Sequence, residues 1–278
     1  MKSVIRRVGT ALIAFGFDPR RTLSSLRFCI GYVADLIRWM RKRDTREATQ
    51  FPLRLLPTLS DKYIASGVAS GHYFHQDLWA ARWIYRVNPK RHLDVGSRID
   101  GFVSHLLTFR EVEVIDIRPL QSRIEGLVFQ RADLMSDQSL PVEPGESVSC
   151  LHALEHFGLG RYGDPVSPGG WRIGLRRLAD LVSMSGRLYL SVPIGEAAVE
   201  FNAQRIFRVQ YILDEARLYG LEPKSFSFVD DVGDFHNNID ISKATLALCD
   251  HLQYGCGCFL FEKQSMPSSP SSASPRLP

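Results

Sequence analysis

The feature that most constrains this chain is a ribbon of short apolar runs between His92 and His156. The first, His92-Leu93-Asp94-Val95-Gly96-Ser97, reads as a strand running into a tight glycine turn. The second, Val114-Ile115-Asp116-Ile117, ends in an acid, and Arg131-Ala132-Asp133-Leu134 follows a third. A fourth closes on Leu151-His152-Ala153-Leu154-Glu155-His156. Strand-length runs separated by helix-length stretches point to an α/β sheet of mostly parallel strands. Such sheets bind ligands beyond the carboxyl ends of their strands, and the glycine turn and the acids fall there. Glycine lets the backbone approach a ligand. A carboxylate ending the second strand can accept from both hydroxyls of a ribose, and a polar residue after the third can reach an adenine edge.

The pattern continues along the chain. Strands are expected at about 91–95, 112–117, 126–130, 146–152, 187–193, 222–229 and 257–263. Helices are expected at about 99–108, 153–157, 171–184 and 205–219, after a lead-in helix at 74–87 through Phe74, Leu78, Ala81, Trp83 and Ile84. The last two strands should be neighbours, the second added late. The fold class is therefore α/β, a Rossmann-like, mostly parallel seven-stranded sheet with helices on both faces. Residues 1–60 form N-terminal amphipathic helices and a linker, 61–265 the main domain, and 266–278 a Ser/Pro-rich tail too poor in apolar surface to fold.

Charge is uneven. Residues 1–47 carry a balance of +7 and the remainder −3, so the main domain has no nucleic-acid footprint. The basic segment has helical periodicity: Val4, Ile5, Val8, Ala11, Leu12 and Phe15 share one face, Asp18-Pro19 interrupts, and Leu23, Leu26, Ile30, Val33, Ile37 and Met40 share the next, before Arg41-Lys42-Arg43. Three readings fit: helices packed on the main domain or on a partner subunit, a second copy included; a basic anchor peripheral to an anionic membrane surface; or a cleaved signal peptide, for which no small-x-small site follows. No run is long enough to span a bilayer. Five scattered cysteines, Cys29, Cys150, Cys249, Cys256 and Cys258, argue for a reducing, cytoplasmic compartment. Cys256-Gly-Cys258 is the one close pair; without a second pair it reads as buried strand cysteines, and no metal is expected.

The series Asp94-x-Gly96, Asp116, Asp133 and Leu154-Glu155-His156 resembles the class I S-adenosylmethionine-dependent methyltransferases. The resemblance implies S-adenosylmethionine as cofactor. Asp94, Gly96, Ser97 and Gly101 would cradle its amino-acid portion, Asp116 and Ile117 its ribose, and Asp133 and Leu134 its adenine. Arg98 stands where that superfamily usually has its second glycine, and its side chain narrows the space for the methionine portion. Residues 72–263 are similar, more closely, to a poorly characterised family within the superfamily, found in nematodes and near bacterial surface-polysaccharide genes. His72-Tyr73-Phe74, Asp94-Val95-Gly96-Ser97, the stretch Leu154–Pro165, most specific over Glu155–Pro165, and the closing Gly257–Lys263 carry that likeness.

Candidate catalytic groups are His156, His152 and Asp164, each with a structural role as the alternative. Arg161, Tyr162 and Asp164 lie in the glycine-rich loop Phe157–Gly170, where they would orient a hydroxylated acceptor or lock the loop. Arg205 and Arg208 would meet an anionic acceptor or solvate a helix face. The function that the resemblance implies is methyl transfer to an oxygen of a saccharide or related small metabolite, the saccharide preference coming from the resemblance alone. Two alternatives stand beside it. An NAD-dependent oxidoreductase would share the second-strand acid, but the first loop lacks the Gly-x-Gly-x-x-Gly fingerprint. A non-catalytic scaffold of the same fold would explain Arg98.

Overall fold

A computed structural model describes residues 13, 15–59, 67–136, 140 and 142–264. The chain divides into two units, residues 1–68 and 69–278. In the first, helix α1 (Pro19–Lys42) realises the expected periodicity, and its stripe of Leu23, Leu26, Ile30, Val33, Ile37 and Met40 is exposed. Its last turn carries Arg41 and Lys42, charges that suit the negative end of a helix dipole. The expected linker begins with a further short helix, α2 (Thr45–Gln50). The face from Val4 to Leu12 and the tail 266–278 lie outside the described residues. Among those described, no helix is long and apolar enough to cross a membrane.

The second unit runs α3 (His72–Val87), β1 (Leu93–Val95), a turn over Ile99–Val103 leading into α4 (Ser104–Leu107), β2 (Val112–Asp116), β3 (Leu127–Arg131) and β4 (Gly145–Leu151). A 3-10 turn at Leu154–His156 precedes α5 (Gly170–Leu181) and β5 (Val182–Ile194). Then come β6 (Ala198–Glu200), β7 (Gln204–Ile206), α6 (Val209–Leu218), β8 (Leu221–Val229), β9 (Phe235–His236), α7 (Lys243–Asp250) and β10 (Gly255–Lys263). The main sheet has the order β3-β2-β1-β4-β5-β10-β8-β9. The pairings from β3 through β5 are parallel, whereas β10 runs antiparallel to both β5 and β8.

All seven expected strands are present, and the sheet has eight strands rather than seven because the two-residue β9 pairs with the end of β8. The helix expected at 205–219 is corrected at its start. Gln204–Ile206 pairs with Ala198–Glu200 around a turn in which Asn202 adopts φ 41, and helix begins only at Val209. Asparagine tolerates that left-handed conformation better than most residues. The helix expected at 171–184 ends at Leu181, and β5 starts at once. Helix α7 was not foreseen; Ser242 caps it by accepting from the Thr245 amide at 3.2 Å.

Two cores sit on the two faces of the sheet. Alternation along β5 sends Leu188, Leu190 and Val192 to one face, with α5 and α6, and Tyr189 to the other, with α3. Phe259 and Phe261 against Cys258 and Leu260 divide β10 in the same way. Each fully buried large apolar side chain contributes about 1.5–3 kcal/mol, so a sheet covered on both faces needs no covalent staple. Register places Asp94 beside Val114 and Ser149, and Asp116 beside Arg131. The carboxyl ends of β1, β2, β3 and β4 thereby share one edge.

Candidate functional site

At that edge lies a cavity of about 340 Å³. Of the residues singled out from the sequence, Gly96, Asp116, Ile117, Asp133, Leu134, His152, His156 and Asp164 line it. Asp94, Ser97 and Gly101 are not in its wall. Gly96 has φ +70, and a Cβ there would stand 3.0 Å from the Ala153 Cβ, so both backbone and space require glycine. Gly101 lies against Asp77, whose Oδ2 a Cβ would approach to 2.9 Å.

Asp94 braces the glycine turn from behind. Its carboxylate accepts from the Ser97 amide at 3.1 Å, the Ser97 hydroxyl at 2.6 Å and the Ser149 hydroxyl at 2.5 Å. Ser149 also meets Nε2 of His92 at 3.0 Å, and Nδ1 of His92 meets the Ser147 hydroxyl at 2.8 Å. Burial pushes Asp94 up to about 6 against those hydrogen bonds. Burial, helped by Arg110, pushes His92 down to about 3, so its ring is neutral. A neutral ring with one donor and one acceptor nitrogen is what two serine hydroxyls can satisfy.

Asp116 points into the cavity and is held by Arg118. Oδ1 accepts from the Arg118 amide at 2.8 Å and from Nε at 3.0 Å, and Oδ2 from Nη2 at 2.6 Å. The Arg118 guanidinium also lies over the Tyr162 ring, 4.5 Å from its centre. Asp133 turns its Oδ1 to the Met135 amide at 2.8 Å. Arg98 folds onto Asp100, with Nη2 2.9 Å from Oδ2, and sits 5.1 Å from the centre of Tyr73. Its side chain thus rests at the cavity wall rather than closing the glycine turn.

The opposite wall comes from the turn after β4 and the loop that follows. His152 has φ 50, a strained setting for a non-glycine residue at the mouth of a cavity. Its Nδ1 lies 2.7 Å from Glu155 Oε1, and its Nε2 lies 3.1 Å from Nδ1 of His72. Burial opposes charge on this ring, but the Cys256 sulfur and the Glu155 carboxylate outweigh it and hold the pKa above the usual histidine value. The other oxygen of Glu155, Oε2, is buried with no hydrogen-bond partner among the described residues. An unpaired buried carboxylate oxygen beside a cavity invites a donor from a ligand. Burial pushes His156 down, so it too is neutral. Its Nδ1 is 2.7 Å from the Ala203 carbonyl, which can only accept, so the proton sits on Nδ1 and Nε2 keeps a lone pair.

Asp164 serves the loop itself, accepting from the amides of Gly158, Gly160 and Tyr162 at 2.8, 3.1 and 3.1 Å. Arg205 is buried and meets no acceptor anion. It donates to the carbonyls of Glu155, Phe157, Ser167 and Pro168 at 3.2, 2.6, 3.4 and 3.3 Å. Arg208 stands 3.9 Å from Asp250. Reading the sequence passed over Arg118 and Tyr254 as lining residues. Tyr254, whose hydroxyl donates to Gln204 Oε1 at 2.9 Å, comes from a loop a hundred residues past the other wall and left no local signal. Tyr73 and His72 did have one, in the His72-Tyr73-Phe74 motif.

A family described as Caenorhabditis protein of unknown function, DUF268, matches residues 104–222, which bears out the nematode likeness expected from Glu155–Pro165. No curated protein matches the sequence. Among solved structures, the chain is similar to the 1,6-didemethyltoxoflavin-N1-methyltransferase of Burkholderia thailandensis, with bound S-adenosylhomocysteine. That likeness has 15% identity, covers 68% of this chain and 78% of that one, and gives a TM-score of 0.47. The N-methyltransferase NodS of Bradyrhizobium japonicum WM9 gives 10% identity, 69% and 87% coverage and 0.47. The magnesium protoporphyrin IX methyltransferase of Synechocystis PCC 6803 gives 12%, 68% and 84%, and 0.44. Likenesses this distant add nothing to the sheet order described above.

Proposed function

We propose that this chain is a methyltransferase that uses S-adenosylmethionine and acts on a hydroxyl of a saccharide or similar small polar metabolite. The observation that carries the proposal is the order of groups along the cavity. The Gly96 turn and the acids Asp116 and Asp133 lie at successive strand ends, and the unpaired Glu155 oxygen and the neutral His156 lie on the opposite wall. The first set suits an adenosine, the glycine leaving a cradle that a Cβ would fill. The bound cofactor would supply a methyl group already activated on a sulfonium.

The protein's part is then alignment and exclusion of water. Asp116 would take the ribose hydroxyls once Arg118, which already stacks on Tyr162, releases its carboxylate. Arg98, held at the wall by Asp100, would pair with the cofactor's carboxylate, so the arginine in the glycine position gains a use. Glu155 Oε2 would accept from the acceptor hydroxyl, with His156 Nε2 as the second acceptor. The phenols of Tyr73 and Tyr254, both raised by burial and so kept as donors, would face a hydroxylated ring. Asp164 we assign to the loop.

Calorimetric titration with S-adenosylmethionine tests the proposal. Asp116→Ala is expected to lower affinity about 10–100-fold, the worth of charge-assisted hydrogen bonds at about 1.5–3 kcal/mol. Among the described residues, Arg118 is the only side chain to which Asp116 hydrogen-bonds, so the variant should fold. Wild-type affinity in the folded variant would sink the site assignment, and absence of binding by the wild type would favour the scaffold.

We also propose that α1 lies on an anionic membrane surface facing the cytoplasm, because an exposed apolar stripe leads straight into Arg41, Lys42 and Arg43. With phosphatidylserine vesicles, the full chain should float and a chain lacking residues 1–47 should not. Equal flotation of the two removes the idea.

A further inference from the structure

Two histidines beside the cavity are arranged so that their free nitrogens face each other. Nε2 of His72 lies 3.1 Å from the Tyr254 carbonyl, which accepts only, so that nitrogen carries the proton. Nδ1 of His152 is turned to the Glu155 carboxylate at 2.7 Å and likewise donates. What is left, Nδ1 of His72 and Nε2 of His152, face each other at hydrogen-bond distance, 3.1 Å apart. The ring planes agree within 9° and the centroids are 5.1 Å apart, close to the nitrogen gap plus two ring radii. The rings therefore meet edge to edge, and the gap between the two nitrogens holds the proton of a charged His152 or a metal ion in its place.

A third donor stands beside the pair. Cys256 Sγ is buried on β10, and all three donor atoms lie within 4.8 Å of one another. The sulfur hydrogen-bonds with His152, and its other contacts are long, 3.7 Å to Gln76 Oε1 and 4.0 Å to Gly257 O and Cys258 Sγ. The outer ring nitrogens already have the carboxylate and carbonyl partners that orient metal-binding histidines.

We propose that His72 Nδ1, His152 Nε2 and Cys256 Sγ bind a divalent transition metal, zinc by the chemistry of the donor set. A tetrahedral site with nitrogen at about 2.0–2.1 Å and thiolate at about 2.3 Å needs the nitrogens roughly 3.3 Å apart and each roughly 3.6 Å from sulfur. The nitrogens are nearly there, and a small tilt of the rings with an inward shift of the sulfur completes it. Three protein ligands leave a fourth position open, as in catalytic zinc sites. His152 belongs to the cavity wall, so water or an acceptor oxygen is the occupant of that position. The acceptor part rests on the proposed methyl transfer; metal binding does not.

The test uses the full chain and the metal alone. Zinc content after desalting should be about one per chain. Titration with cobalt(II) should give the visible bands of a tetrahedral ion and a thiolate-to-cobalt charge-transfer band. Cys256→Ser should lose the charge-transfer band. Glu155→Gln, which replaces the carboxylate that orients His152 through Nδ1, should weaken metal binding about 10–100-fold. Circular dichroism checks that each variant folds. A folded wild type that takes up neither zinc nor cobalt overturns the proposal in favour of a proton shared by the two rings. So does a cobalt spectrum that Cys256→Ser leaves unchanged. S-adenosylmethionine titrated without metal is read separately, so failure of either proposal leaves the other standing.

Discussion

Arg205→Ala is expected to destabilise the protein by about 3 kcal/mol and to release the loop over the cavity. One buried guanidinium serves four carbonyls from Glu155, Phe157, Ser167 and Pro168, so it ties the turn after β4 to both ends of the glycine-rich loop. Removing it leaves buried acceptors unsatisfied at about 1–3 kcal/mol each, the full amount applying only to the short bond with Phe157. Lysine is no substitute, because a single ammonium cannot present donors in the guanidinium's planar fork. Burial presses the arginine's pKa down, yet such a group stays charged, so its loss should not vary with pH. Urea unfolding gives the stability, and hydrogen exchange at 157–169 reports the loop. Stability within 1 kcal/mol of wild type, or unchanged exchange, would refute the clamp.

A second large effect is expected from acid. His92 is neutral in the fold, with its pKa lowered from 6.5 to about 3. The unfolded chain therefore binds the extra proton between those values, and the His92 contribution to stability is complete above the unfolded pKa and lost as pH falls through the window. Asp94 and Asp77, both raised to about 6 by burial, act with the opposite sign, since the folded state holds their protons and gains as pH falls. The total is thus partly cancelled, and the histidine is isolated by comparison with His92→Gln. At neutral pH the wild type should be the more stable. By about pH 4 that advantage should shrink by about 3 kcal/mol, at 1.36 kcal/mol for each unit of pKa shift. A gap that stays constant from pH 7 to about 4 would mean that His92 is not held neutral.

The sheet was readable because its strands differ from their surroundings in burial. Leu93, Val95, Val114 and Ile115 are almost wholly buried, and parallel strands covered on both faces show as unbroken apolar runs. The β6–β7 hairpin was not readable for the converse reason. Val199 and Phe201 are exposed, so no face alternates, and Gln204-Arg205-Ile206 joined smoothly to the periodicity of the helix after it. The site divides along similar lines. Gly96, Asp116 and Asp133 are set by the ends of adjacent strands, and their spacing follows from strand and crossover lengths. Arg205 looked like a surface charge because its partners are backbone carbonyls, which no residue type announces. The facing pair of His72 and His152, with Cys256 beside it, joins α3, the end of β4 and the start of β10. No spacing rule links three segments that far apart.

The position of β10 has a consequence for synthesis. It is the last strand among the described residues, yet it lies inside the sheet, hydrogen-bonded to β5 on one side and β8 on the other. A chain still leaving the ribosome can pair β1 through β5 as each strand emerges, but it cannot join β8 to them. Until Lys263 is free, the flanks of β5 and β8 stay open, with Leu190, Val192, Phe226 and Phe228 short of cover. Open strand flanks are templates for pairing with other chains. The nascent protein must therefore be shielded until β10 has emerged, and a stall just before Gly255 would be more hazardous than one after β4.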